Sequence, residues 1–596
     1  MRRIWITASI LVLSFVGSLE GEELRFKEEF LKQLVDQVPT ILKSFDPSTG
    51  RFGSGIWTCE DQHMIYPLAV AYATAGEGNP YYKSSEILSV IIKGGDLLIK
   101  EADPQGRWLF IKKDGSTWGM IWMPWTYSRW IRTFGLIAED MPPEARQRWS
   151  TALAVGYAGI SQHELKSIHN IPTHHAMGLY IAGKILDRPE WCQQASEFLH
   201  RVAAAQSDGG YWQEGGGPVV FYNFIYVGAL GVYYALSRDA AVLPALERAA
   251  RFHQQFTYPS GHPVETIDGR NPLSMRFPSA DSNRPLTEGS NLGNVGFTFC
   301  AVGRAYLKRQ WDLLGGHKRL GPDLLASFLL YGQEGIVEPE PPPSTRQISV
   351  LKEKGAARAV TLRQEPWFIC LSSYTSPIVN SRWIQDRQNF VSMYHDSTGV
   401  IIGGGNTKLQ PGWSTFTVGD TALLAHQPGD ENPVFTPKGL LYHVPSEATL
   451  VWESDFGLDL VYGPAVCRLR IKIEDSRNLD YRLEASPCEL PVAAHLTIVP
   501  RLGRELVTGS GHREKVGPNP INLPPERLQG QVTYAGFRLH LPAVASLHWP
   551  TLPHNPYRKD GHAEPEEGRI EIRIPFDQEN RSYTVRIEVL SESPSP

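Results

Sequence analysis

Six cysteines in 596 residues, with no Cys-x-x-Cys pair, are too few and too scattered for a disulfide scaffold or a metal finger. They are Cys59, Cys192, Cys300, Cys370, Cys467 and Cys488. Most have apolar neighbours, as in Phe299-Cys300 and Ile369-Cys370, so buried free thiols are expected; Cys467 and Cys488 are the nearest pair for a bridge. A basic excess is also missing. With a net charge of -5 the chain has no evident affinity for nucleic acid, and an acidic polymer would need a local basic cleft. After the first twenty residues nothing is long and apolar enough to suggest an integral membrane span. Gly215-Gly216-Gly217 runs into Pro218 rather than Lys and Ser/Thr, which argues against a nucleotide phosphate loop. His163-Glu164 has Ser167 where a zinc-protease helix needs its second histidine.

What is present begins at the N-terminus. Arg2 and Arg3 precede an apolar run from Ile4 to Val16, and Gly17 and Ser18 follow. This is the pattern of a secretory signal with a cut after Ser18. Export to the periplasm or beyond is expected, with residues 1–18 as the signal peptide.

The length suits two or three domains. From about 27 to 332 the apolar period is helical. Phe30, Leu31, Leu34, Val38, Ile41 and Leu42 form one stripe, and Ile87, Leu88, Ile91 and Ile92 another. Val219 to Leu236 is apolar on nearly every side, which marks an inner helix. Alternating inner and outer helices predict an (α/α) toroid over 19–334. A proline-rich linker is expected over 335–347, centred on Pro341-Pro342-Pro343. Beyond it the period becomes two, as in Cys467 to Ile473 and Arg569 to Ile574, which predicts an antiparallel β-sandwich over 348–596. The fold class is α+β and multidomain.

Four stretches could carry chemistry. In the first, Pro172 and Thr173 open a helix, leaving Asn170 in a loop and His174 and His175 in the first turn. There an amide donor lies near two imidazoles that could move protons. The second runs from Ser207 through Tyr211, Glu214 and the glycines to Tyr222, Asn223 and Tyr226. Polar groups on an inner helix need partners, internal or bound. The third is aromatic, with Trp108, Trp118, Trp122, Trp125, Tyr127 and Trp130 interleaved with Arg129 and Arg132. Indole faces stack on sugar rings, and arginine binds carboxylates bidentately. In the fourth, Arg382, Arg387 and His395 could meet a substrate carboxylate or form an inter-domain contact.

A helical toroid followed by a β-sandwich, with Asn170 and its histidines ahead of Asp208-Gly209-Gly210-Tyr211, Glu214-Gly215 and Tyr222, resembles the heparinase II/III and alginate-lyase group of polysaccharide lyases. Members use a histidine with an adjacent asparagine, and a tyrosine on a later inner helix. The resemblance implies Asn170 with His174 or His175 for the first element, and Tyr222 or Tyr226 for the second. Ile171, Pro172 and Thr173 separate Asn170 from those histidines, unlike the adjacent pair of the group. The implied substrate is an acidic polysaccharide, bound through Trp122, Trp125, Arg129, Tyr211, Glu214, Asn223, Arg382 and Arg387. The implied reaction is β-elimination, which requires no cofactor and is compatible with a structural divalent metal. A glycoside hydrolase would instead need paired carboxylates such as Asp208 with Glu214, or Glu60 with Asp61. A non-catalytic glycan-binding protein is the third reading.

The signal pattern predicts a mature chain beginning at Leu19. Mass spectrometry of protein from the native host checks this, and an intact Met1 on a cytoplasmic protein would refute it.

Overall fold

The computed structural model describes residues 22–112, 115–214, 216–269, 295–313, 320–339, 346–425, 429–453 and 455–591. The expected signal segment and the run Pro341–Pro343 lie outside the described residues. Between Lys27 and Tyr331 the chain is mainly helical. Helices Lys27–Lys43, Ser85–Glu101, Pro143–His163, Pro189–Ala204 and Leu243–Gln255 each bury one stripe. Helices Ile65–Ala73, Pro124–Ile137, Asn170–Ile185, Val220–Ser237 and Pro322–Tyr331 are buried over most of their length. These five pack side by side in chain order, and the last returns to the first to close a ring. The expected toroid is therefore present. Among the described residues Val220–Ser237 alone has the length and apolarity to cross a membrane, and it is mostly buried inside this ring.

Beyond the helices the strands are antiparallel. Gln347–Glu353, Ala356–Gln364, Trp367–Ser372, Val391–His395 and Gly399–Ile402 form a five-stranded meander. Six- and nine-stranded sheets follow, and the nine-stranded one contains Ala465–Ile473 and Ser582–Val589, where alternation predicted strands. The meander joins the two halves. Phe368 and Cys370 belong to the helical core, while Trp367, Ile369 and Leu371 on the opposite face belong to the β core.

Three local expectations change, while the free thiols are as expected. Helix Asn170–Ile185 begins at Asn170 itself, with His169 in extended conformation before it. Pro172 falls in the first turn, whose N–H groups need no helical partner, so proline is tolerated there. Thr173 N–H instead donates to His169 O at 3.1 Å. The described start of the expected linker is tied to the helical half: Gly335–Ile336 pairs with Glu23–Leu24, and Glu338 N–H donates to Ala301 O at 3.0 Å. All six cysteines are free, Cys467 and Cys488 included. Finally, a hairpin of Trp108–Ile111 and Thr117–Ile121 interrupts the helices, where aromatic residues with β propensity stand between two helical stripes.

The ring wall depends on close approach at Gly95. This residue lies under the fully buried Trp149, whose indole N–H donates to Asp96 Oδ1 at 3.0 Å. A Cβ at Gly95 would stand 1.9 Å from Trp149 Cζ2. Although alanine is the better helix former, Gly95→Ala is predicted to destabilise the protein by about 1–3 kcal/mol, as over-packing does. Urea denaturation followed by tryptophan fluorescence measures it.

Candidate active site

One outer helix separates each of the first four inner helices from the next, so these four run the same way, and the Arg129–Asp323 pair places the start of Pro322–Tyr331 at the same end of the ring. Cross-contacts between first turns agree. His63, just before helix Ile65–Ala73, bonds Thr126 Oγ1 at 2.9 Å through Nε2. Arg129 forms a bidentate pair with Asp323 at 2.8 and 2.7 Å. His174 Nε2 lies 2.8 Å from Ser128 Oγ. Converging helix N-termini make this end attractive to anions.

Half-buried groups face this end. Trp125, Asn170 and Tyr222 come from the first turns of three inner helices, Arg129 from one turn beyond Trp125, and Glu214 from the glycine-rich loop ahead of the last of these helices. Asn170 Oδ1 accepts from Ile171 N–H at 2.8 Å and lies 3.4 Å from His169 Nδ1.

The other expected residues on the helical side are buried, most with partners inside the protein. His174 is buried, with its ring edge-on to Trp125 at 4.5 Å. Burial, and then the Arg129 and Arg132 charges, hold its imidazole well below the usual histidine range. His175 is buried beside the Trp122 backbone without a well-formed hydrogen bond, and burial depresses it to about 3. Tyr226 is buried, stacks on Trp212 at 4.9 Å and donates to Glu214 Oε1 at 2.9 Å. Burial and the Glu214 charge raise its phenol far above the ordinary value. Trp122 is buried, donates to Gln105 O at 2.9 Å and stacks against His163. Asn223 accepts from Trp212 N–H and bonds His253 Nε2 at 2.9 Å. Tyr211 is enclosed between Phe252 and Tyr374.

The β-side arginines divide similarly. Arg387 is buried between the two halves and donates to Ile267 O at 3.0 Å and Pro218 O at 3.2 Å, so it fastens the glycine-rich loop instead of facing a ligand. Arg382 lies on a more open loop, where Nη2 donates to Lys559 O at 2.9 Å. His395 bonds Ser476 O at 2.9 Å within the β half. Of the carboxylates a hydrolase would need, Asp61 is paired with Arg51, and Asp208 accepts from Lys354 N–H at 3.3 Å. Among the described residues no group of three or more His, Cys, Asp or Glu side chains is arranged to hold a metal.

Two features escaped the sequence. His169 stands directly beside Asn170 and is half-buried, and the adjacent His-Asn dipeptide was its visible signal. Asp323 lies 194 residues from Arg129, with no local pattern to announce the pair. Its carboxyl is held below the usual range by the Arg129 charge and hydrogen bond, which outweigh burial.

No family model matches this chain, and no curated protein matches it. Its architecture is a heparinase/chondroitinase-like polysaccharide lyase fold. The chondroitin AC lyase of Streptomyces coelicolor A3, solved in complex with chondroitin sulphate, shares this fold at 11% identity and a TM-score of 0.54. That likeness covers 96% of this chain and 80% of the lyase. A heparinase III structure aligns over 89% of this chain and 77% of its own, at 12% identity and a TM-score of 0.49.

The buried histidines set a pH dependence. His175 and His253 are both depressed to about 3 by burial, and His174 is lowered as well. The unfolded chain takes up these protons near pH 6.5, and the folded chain only far lower. Between those values the unfolded state binds more protons, so stability falls as pH falls, by about 1.4 kcal/mol per unit for each histidine. The melting temperature is predicted to drop steadily from pH 6.5 to 4.5. His175→Leu should flatten that slope, and an unchanged slope would refute the assignment.

Proposed function

We propose that the protein is a polysaccharide lyase that cleaves a uronate-containing polysaccharide by β-elimination. The observation that carries the reading is the convergence of inner-helix first turns, with half-buried Asn170 and Tyr222 among them, in a chain with a polysaccharide-lyase fold. The anion-attracting end suits an acidic polymer, and the export expected from residues 1–18 would suit a substrate outside the cell.

The C5 proton of a uronate is weakly acidic unless charge developing on its carboxylate is stabilised. The Asn170 amide supplies that hydrogen bond. The His169 imidazole takes the C5 proton. The C5–H electrons form the C4–C5 double bond as the C4–O bond breaks, and the Tyr222 hydroxyl gives its proton to the departing oxygen. His169 replaces His174 and His175 as the base because those two are buried away from a substrate, and burial makes them weak proton acceptors. Tyr222 is preferred to Tyr226 because it is half-buried in the first turn, whereas Tyr226 is fully buried.

Incubation with a panel of uronate polysaccharides should raise ultraviolet absorbance, the mark of an unsaturated uronate. Tyr222→Phe should cut turnover by about 10²-fold or more with little change in melting temperature. Tyr226→Phe should cost far less. New reducing ends without the chromophore would show hydrolysis and overturn the proposal.

A further inference from the structure

A lysine, an aspartate and a histidine meet inside the β half, with no part in the elimination scheme. Asp386 and Thr407 form an antiparallel bridge, which brings the next residue, Lys408, beside Asp386. Lys408 Nζ donates to Asp386 Oδ1 at 2.6 Å and to Val379 O at 2.8 Å. His443 Nε2 lies 2.9 Å from Asp386 Oδ2, and its Nδ1 has no hydrogen-bond partner among the described residues. A carboxylate can only accept, so Nε2 is the nitrogen that carries the proton. All three side chains are at most 1% exposed. Leu409 leads directly from Lys408 into a small apolar cluster with Leu424, Phe435 and Leu441. An ion pair buried this completely adds little net stability, because desolvation offsets the attraction.

We propose that Lys408 and Asp386 join in an intramolecular amide bond, with His443 as the oxyanion donor. A nitrogen 2.6 Å from a carboxylate oxygen stands about 3–3.5 Å from its carbon, the separation of a near-attack pair. The ammonium first passes a proton to Oδ1, leaving an amine and a carboxylic acid. The Nζ lone pair then bonds to Cγ, and the C=O π electrons move onto Oδ2, where the His443 N–H stabilises the charge. Nζ gives a second proton to Oδ1, the Cγ–Oδ1 bond breaks, and water leaves as the C=Oδ2 bond re-forms. Both protons of that water come from the ammonium, and no oxidant or activating group is consumed. The amide is uncharged, so the step removes two charges from a site closed to solvent. The joined segments also brace the helical half. Asn406, two residues before Lys408, donates to Asp268 O at 2.6 Å. Asp268 Oδ2 in turn accepts from Val220 N–H at 3.2 Å, at the start of the helix that carries Tyr222.

Digestion of the denatured full-length chain with a protease that cuts after lysine, followed by mass spectrometry, reads the bond directly. Unjoined protein is cut after Lys354, Lys408 and Lys438. Joined protein should give residues 355–438 as one fragment, uncut after Lys408 and lighter by one water, because the protease needs a free ε-amine. Lys408→Arg keeps the ion pair but forms no amide, so its fragment 355–438 should have the full mass. His443→Leu should slow joining by about 10²-fold, so the freshly purified variant should be mostly cut after Lys408. Where either variant fails to fold, the wild-type fragment decides alone. A wild-type chain still cut after Lys408 following prolonged incubation overturns the proposal. Loss of water with Lys408 still cut marks cyclisation of an aspartate and overturns it too. So does a Lys408→Arg fragment lighter by one water, or complete joining in fresh His443→Leu protein.

Discussion

Strand Trp367–Ser372 is buried on both faces, and the two halves of the molecule are built around it. Successive side chains point opposite ways, so Phe368 and Cys370 enter the helical core while Trp367, Ile369 and Leu371 enter the β core. A slip of one residue would exchange the two sets, which fixes the register firmly. Each large side chain buried there contributes about 1.5–3 kcal/mol. The edge strand of the same sheet, Gln347–Glu353, sets Leu351 against Gly209, and Arg387 fastens the far end of the same glycine-rich loop. The loop that carries Glu214 is therefore shaped by the β half, although it belongs to the helical half in sequence.

The same logic separates structural from chemical polar groups at the ring end. A buried polar group needs a partner, and most of the inner-helix polar residues have one within the protein. Asn223 orients Trp212 and His253, Tyr226 is held by Glu214, and Arg129 is spent on Asp323. Removing one member of a buried pair such as Arg129–Asp323 would cost about 3–5 kcal/mol, because it strands the other charge. The groups left for a substrate are those at the edge, in first turns and loops.

Much of this architecture was legible in the sequence. Val220–Ser237 had to be an inner helix because no side of it is polar, and Ala465–Ile473 had to be a half-solvated strand because its period is two. The candidate site was less legible, since burial of a particular side chain depends on neighbours hundreds of residues away. His174 and His175 have the composition of an acid–base pair, and only the closed ring puts Ser128, Trp125 and Arg132 around them. Pro172 suggested a later helix start because proline is commonest in the first turn, and it tolerates more than one position there. Arg387 carries the same charge as Arg382, and only the domain contact distinguishes a buried clamp from an accessible cation.

A closed ring of parallel helices also divides the molecule into an end that can vary and an end that cannot. Segments entering the first turns, such as the hairpin before Pro124 and the glycine-rich loop before Val220, can change length or sequence without disturbing the helix contacts below them. At the opposite end the turn after Ile185 is short and tight, with Asp187 at φ +53° and Arg188 N–H bonded to Gly183 O at 2.8 Å. Substrate range can therefore diverge among descendants of this scaffold by exchanging loops at one rim, while the other rim keeps the ring closed.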